Sequence, residues 1–230
     1  MDRTVIVTGG TGGLGVPVVQ AFLDAGWRVV VPWVAEHELD RVPEREGLEL
    51  VRADLFDDGA VRPVVATATG YEGAPLRGVV NLVGGFSAPG KVADTPIDEF
   101  EAQFRLNLRP LYLIAAAAIP HLIAAEGGTI VAVSTRAALR PFAGAAGYCS
   151  SKAAVLAFVG CLDAEYKDDG VRANAIVPSV IDTPGNRASQ PQADTSRWVK
   201  PGQIAQTVLF LSSDASSATS GAAIPVYGRA

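Results

Sequence analysis

Seven short runs rich in β-branched and other apolar residues recur along the 230-residue chain, and longer stretches with helical spacing separate them. The runs are 3–9, 27–33, 48–53, 77–84, 128–134, 171–178 and 222–228. Helical spacing falls at 13–26, 58–70, 96–126, 148–168 and 201–213. Strands that are apolar almost throughout must be buried on both faces, and helices between them make the pairing parallel. Right-handed crossovers then leave a doubly wound α/β sheet of seven mostly parallel strands, with helices on both sides. At 49% hydrophobic residues the chain can bury one sizeable core, so residues 1–230 are expected to form a single domain. The most polar and Pro-rich stretch, 182–202, follows the sixth strand. It is expected to be an irregular lid over about 182–200.

The first strand runs into the first helix through "VTGGTGGLG". Gly9, Gly13 and Gly15 permit a tight turn whose N–H groups approach an anion at the helix N-terminus. Asp54 ends the third strand, where a carboxylate can accept from an adenine amino group. Further on, "GYCSSK" puts Tyr148 and Lys152 one helical turn apart. Those six residues alone fit either a solvated helix face or a phenol tuned for proton transfer.

Taken together, these residues resemble the short-chain dehydrogenase/reductase family over essentially the whole chain. The likeness rests on the glycines at 9–15, Asp54, "NLVGG" at 81–85, Asn107, "STR" at 134–136, "GYCSSK" and "PSVIDTP" at 178–184. It implies a Rossmann-type sheet, a nicotinamide cofactor and hydride transfer to or from a small carbonyl, alcohol or pterin-like substrate. It implies Tyr148 as general acid/base, with Lys152 lowering the phenol pKa and holding the nicotinamide ribose. Asn107 would anchor a relay water, and Ser134 or Thr135 would steady the substrate oxygen. Implied cofactor contacts are Gly9, Thr11, Gly13, Leu14, Gly15, Trp33, Asp54, Leu55, Asn81, Gly84, Lys152, Pro178, Ile181 and Thr183.

Three positions depart from the family pattern. The usual serine position holds Thr135, with Ser134 one residue earlier; Leu82 replaces an asparagine; and Trp33 replaces the acidic residue that ends the second strand in NAD-preferring members. With no arginine at Gly12 or Val34, the expectation leans to NAD over NADP, and Arg3 or His37 are the residues that would reverse it. A local likeness of 182–198 and "VGGF" to dihydropteridine reductases implies a flat substrate walled by Phe86 and Trp198.

Other classes find little footing. Formal charge is −5, which gives no electrostatic attraction for nucleic acid. His37 and His121 have no clustered ligands, so no metal is expected, and no G-x-S-x-G elbow marks a hydrolase. The apolar run 111–125 is short for a bilayer and the first residues lack a signal-peptide pattern, so a cytoplasmic protein without a membrane partner is expected. Cys149 and Cys161 fall about 18 Å apart along one helix and are expected as buried free thiols. Alanine-rich runs at 115–118 and 153–157 fit a homodimer or homotetramer, or close packing within the chain. The rival reading from another class is a catalytically silent dinucleotide-binding sensor or scaffold.

Overall fold

Side chains alternate across a strand, so a run of valines and isoleucines feeds two cores at once. In the computed structural model, which describes residues 1–42 and 44–229, all seven expected strands form: β1 Thr4–Thr8, β2 Arg28–Trp33, β3 Leu48–Arg52, β4 Leu76–Asn81, β5 Gly128–Val133, β6 Val171–Pro178 and β7 Ala223–Val226. They make one sheet in the order β3-β2-β1-β4-β5-β6-β7, every pair parallel. Ile6, Val30, Val79 and Ile130 point to one face, into a core completed by helices α2 (Asp58–Thr69), α4 (Arg109–Ala124) and α6 (Ala146–Tyr166). Val5, Val7, Val29, Val31, Val80 and Val131 point to the other, onto α1 (Gly15–Asp24) and α8 (Pro201–Ser212).

The stretch 96–126 forms two helices, broken beside Pro110. Helix α3 (Ile97–Asn107) ends at Leu108, and α4 restarts with Pro110 in its first turn, where a missing N–H costs nothing. Asn107 is thereby the last residue of α3. Counted together, 97–124 are long and apolar enough to cross a bilayer. Leu111, Ile114, Ala115, Ala118, Ile119 and Leu122 are instead buried against the sheet. Ala115 and Ala118 thus serve packing within the chain, while Ala116 and Ala153 are exposed.

Two expectations change. Residues 182–200 are less irregular than their composition suggests: α7 (Pro184–Ser189) follows the Thr183 cap, and a 3-10 turn spans Thr195–Arg197. The base of this excursion is fastened by Asp182 N–H to the Val199 carbonyl at 2.8 Å and Val199 N–H to the Val180 carbonyl at 3.0 Å. Cys161 is exposed and only Cys149 is buried, because the two thiols fall on different faces of α6. A short helix that the sequence spacing did not reveal, α5 (Arg136–Leu139), follows β5.

In this topology the chain leaves β1 toward β2 and β3, then returns to the other side of β1 with β4. That reversal opens a crevice at the carboxyl ends of β1 and β4. A test of the packing is Leu122→Ala, which empties a fully buried position between α4 and the sheet. It should lower unfolding free energy by about 2–5 kcal/mol in urea titration; a loss below about 1 kcal/mol would contradict this core.

Candidate active site

The glycine turn sits at the crevice. Gly9 has φ +67° and lies against the Leu82 backbone just beyond β4. Any β-carbon on Gly15 would collide with the Gly9 carbonyl oxygen and come within 2.6 Å of the Gly10 backbone. The turn therefore closes only with glycine at both places, and it directs the start of α1 at the space above. These observations fit a dinucleotide pyrophosphate, held by backbone N–H groups at a helix N-terminus. Leu14 precedes α1 and packs on the second core. On the far side, a β-carbon on Gly13 would touch Thr183 and Pro184, so the 181–184 segment closes on the turn.

Several expected contacts come out differently from one another. Asn81 is buried and its amide is spent on the fold: Thr8 Oγ donates to its Oδ1 at 2.9 Å. Asp54 is exposed at the end of β3, with one oxygen accepting the Phe56 N–H at 2.9 Å. The Leu55 side chain belongs to the core, so only its backbone can serve a ligand. Pro178 ends β6 and is buried. The Ile181 carbonyl accepts from the Asn186 amide at 2.8 Å, and Thr183 Oγ accepts from the Asn186 N–H at 3.3 Å, capping α7. Arg3 is removed from consideration: it stands before β1, at the opposite end of the sheet, paired with Asp2 and Asp214.

Asn107, Lys152 and Gly84 converge. A β-carbon on Gly84 would lie 2.7 Å from Asn107 Oδ1 and 2.9 Å from Lys152 Nζ. Asn107 is fixed on both sides, since its Oδ1 accepts the Gly85 N–H at 2.9 Å and its Nδ2 donates to Ser151 Oγ at 3.1 Å. Ser151 donates in turn to the Tyr148 carbonyl at 2.9 Å. Lys152 Nζ donates to the Val133 carbonyl at 3.0 Å. Ser151 was not foreseen; a hydroxyl one residue before the lysine was its only sign in the sequence.

Two expectations about the phenol need correction. Ser134 cannot steady a substrate oxygen, because it is buried and its hydroxyl donates to the Lys152 carbonyl at 2.8 Å. Thr135, one residue on, is the hydroxyl beside Tyr148. Nor does Lys152 draw the phenol pKa down here. Burial pushes Tyr148 above its ordinary range, and the Thr135 side chain pulls only partly the other way. The ammonium is turned to the Val133 carbonyl instead.

Aromatic rings surround the phenol. Phe86 meets Tyr148 edge-on at 4.9 Å between centroids, and Phe142 meets Phe86 at 6.3 Å. Phe142 is thus the ring beside Phe86, while Trp198 lies at the end of the Thr195–Arg197 turn. The position of Phe142 between β5 and the tyrosine was the available signal. Both phenylalanines are exposed, at 62% and 50%. An apolar cavity of about 290 Å³ adjoins Tyr148, lined by Val92, Phe100, Gln103 and Gly147 among others. Among the described residues none bonds to the Gln103 Oε1 atom, which is buried there.

Burial lowers the Lys152 pKa from 10.5 to about 8. Between those values the unfolded chain holds a proton that the folded one has lost, so stability rises with pH across that window. The gap corresponds to about 3 kcal/mol. The stability difference between the wild type and Lys152→Met should therefore move in favour of the wild type from pH 8 to 10.5; a pH-independent difference in denaturant titrations would contradict the burial argument.

Comparison with known proteins identifies the family. The short chain dehydrogenase family profile matches residues 3–194. 2-(R)-hydroxypropyl-CoM dehydrogenase of Xanthobacter autotrophicus is 30% identical over 246 residues, covering 99% of this chain and 98% of that protein. Among solved structures, 3-ketoacyl-(acyl-carrier-protein) reductase from Brucella melitensis complexed with NADH superposes with a TM-score of 0.86, at 25% identity, over 99% of this chain and 98% of that one. ElxO with NADP bound shares the fold, with a TM-score of 0.91 at 22% identity and coverage of 99% and 98%. The local likeness to dihydropteridine reductases receives no support from the family match or these relatives. The chain belongs to the short-chain dehydrogenase/reductase family and is an NAD(P)-dependent oxidoreductase.

Proposed function

We propose that the protein reduces the carbonyl of a flat, largely apolar small molecule, with Tyr148 as proton donor. One observation carries this reading: the Tyr148 phenol, which is neutral at working pH, stands beside the Thr135 hydroxyl and edge-on to the exposed ring of Phe86. A protonated phenol is the form that can give a proton to a developing alkoxide. When bound, the nicotinamide supplies the hydride to the carbonyl carbon. Gly9, Thr11, Gly13 and Gly15 would hold its pyrophosphate end, Asp54 the adenine, and the 181–183 backbone the carboxamide. Lys152 and Asn107 would border the nicotinamide ribose, since both reach the space above Gly84.

Thr135 would orient the substrate oxygen by donating its hydroxyl. Phe86 and Phe142 favour a planar substrate through ring stacking. The cavity under 87–100 would take the body of that molecule, and the unpaired Gln103 oxygen a single donor on it. Assembly as a homodimer or homotetramer is part of the same proposal, supported by the exposed Tyr112, Ala116 and Ala153 on α4 and α6.

Tyr148→Phe should leave cofactor affinity within about threefold and cut turnover at least about a hundredfold, read by NAD(P)H oxidation with aryl ketones and quinones. Undiminished turnover would remove the phenol from the chemistry. In the same assay Thr135→Val should lose about tenfold or more in kcat while Thr135→Ser retains most of it. Equal rates for both variants would show that the hydroxyl has no part.

A further inference from the structure

We propose that Gln103 selects substrates that carry a hydroxyl or N–H donor besides the carbonyl, and that the cavity it lines rejects substrates with an anionic group. The proposal rests on the carbonyl-reduction reading above and names the second group that is recognised. Gln103 lies on α3 and is only 7% exposed. Among the described residues none bonds to its buried Oε1. A buried oxygen left without a donor costs free energy, so a fold alone gives no reason to keep one. Its donor has to come from outside the chain.

A route for that donor exists. Gln103 lines the apolar cavity of about 290 Å³ that Tyr148 also lines, the first from α3 and the second from α6. Gly147 lets the two helices meet closely there. A β-carbon on Gly147 would lie 3.2 Å from Gln103 Cγ and 3.2 Å from the Phe100 Cα. The glutamine thus lies against the residue next to the phenol. Its oxygen has no bond to lose by turning to a ligand, and the last torsion of a glutamine is broad. A molecule whose carbonyl meets Tyr148 would extend the rest of its body into this cavity.

The rest of the lining sets the sign of charge. Thr95 Oγ is spent on the fold, donating to the Gly90 and Lys91 carbonyls at 3.2 and 3.0 Å. Glu99 stands one helical turn before Gln103 and is the one charged residue of the lining. It is exposed, so it marks the rim while Gln103 marks the depth. A carboxylate, sulfonate or phosphate on the substrate would meet a like charge at the rim and no cation within the lining. A neutral molecule with a hydroxyl or N–H meets acceptors at both places.

The test is NAD(P)H oxidation by the intact protein with acetophenone, its hydroxy- and amino-substituted isomers, and para-carboxyacetophenone. In the wild type at least one hydroxy or amino isomer should exceed acetophenone about tenfold or more in kcat/KM, because a site built for a donor rejects the analogue that lacks it. The carboxylate should fall below acetophenone. Gln103→Met keeps the side-chain length and removes both polar ends, so the ratio of the favoured isomer to acetophenone should drop about fivefold or more. Any smaller wild-type preference, any smaller drop in the variant, or a carboxylate turned over as well as acetophenone would overturn the proposal. Should Gln103→Met fold poorly, Gln103→Leu replaces it and the same drop in ratio is required. No turnover of any ketone by the wild type would sink the carbonyl-reduction reading itself and the proposal with it, a result distinct from an unselective enzyme.

Discussion

Helices cover both faces of the sheet, so polar chemistry is confined to strand ends, and the chain reversal between β1 and β4 decides which ends. The tie between Thr8 and Asn81 holds those two strands together where the crevice begins. From there the glycine turn, Gly84 and the Tyr148 helix are brought around one space. Asn107 spans it, bonded to the Gly85 backbone on one side and to Ser151 on the other. This amide thus links the β4 loop to α6, the helix that carries the phenol.

The same burial explains the electrostatics. Lys152 is nearly sealed from water and its charged form is disfavoured; the Val133 carbonyl offers it one partner. Tyr148 experiences burial in the opposite chemical sense, since its neutral form is the one favoured. The two residues, four apart in sequence, therefore answer to their surroundings more than to each other. That is why the simple picture of an ammonium pulling down a phenol does not describe this arrangement.

Much of the fold was legible because strand alternation and glycine geometry are local properties. Val5, Ile6 and Val7 declare two cores by themselves, and Gly9 and Gly15 declare a tight turn. Tyr148, Lys152, Asn107 and Gly84 were legible only as a combination, through family likeness. What stayed hidden depends on direction. Ser134 and Thr135 are adjacent at a strand end, and neighbouring side chains there point opposite ways, so spacing could not tell which meets the phenol. Phe142 and Trp198 both sit on connecting segments, where sequence gives no register. The exposure of Cys161 is hidden for a related reason: helix membership is legible in the sequence, but the face is not.

The two hydrogen bonds at the foot of the 182–198 excursion have a consequence for protein engineering. They fix the stems next to β6 through the backbone of Val180, Asp182 and Val199, so these two ties do not depend on side-chain identity. Because the entropic cost of a closed loop grows only slowly with length, segments of different size can be grafted onto these stems. Beyond the 181–184 stretch, which closes on the glycine turn, the segment is thereby open to exchange while the sheet and its helices are held constant.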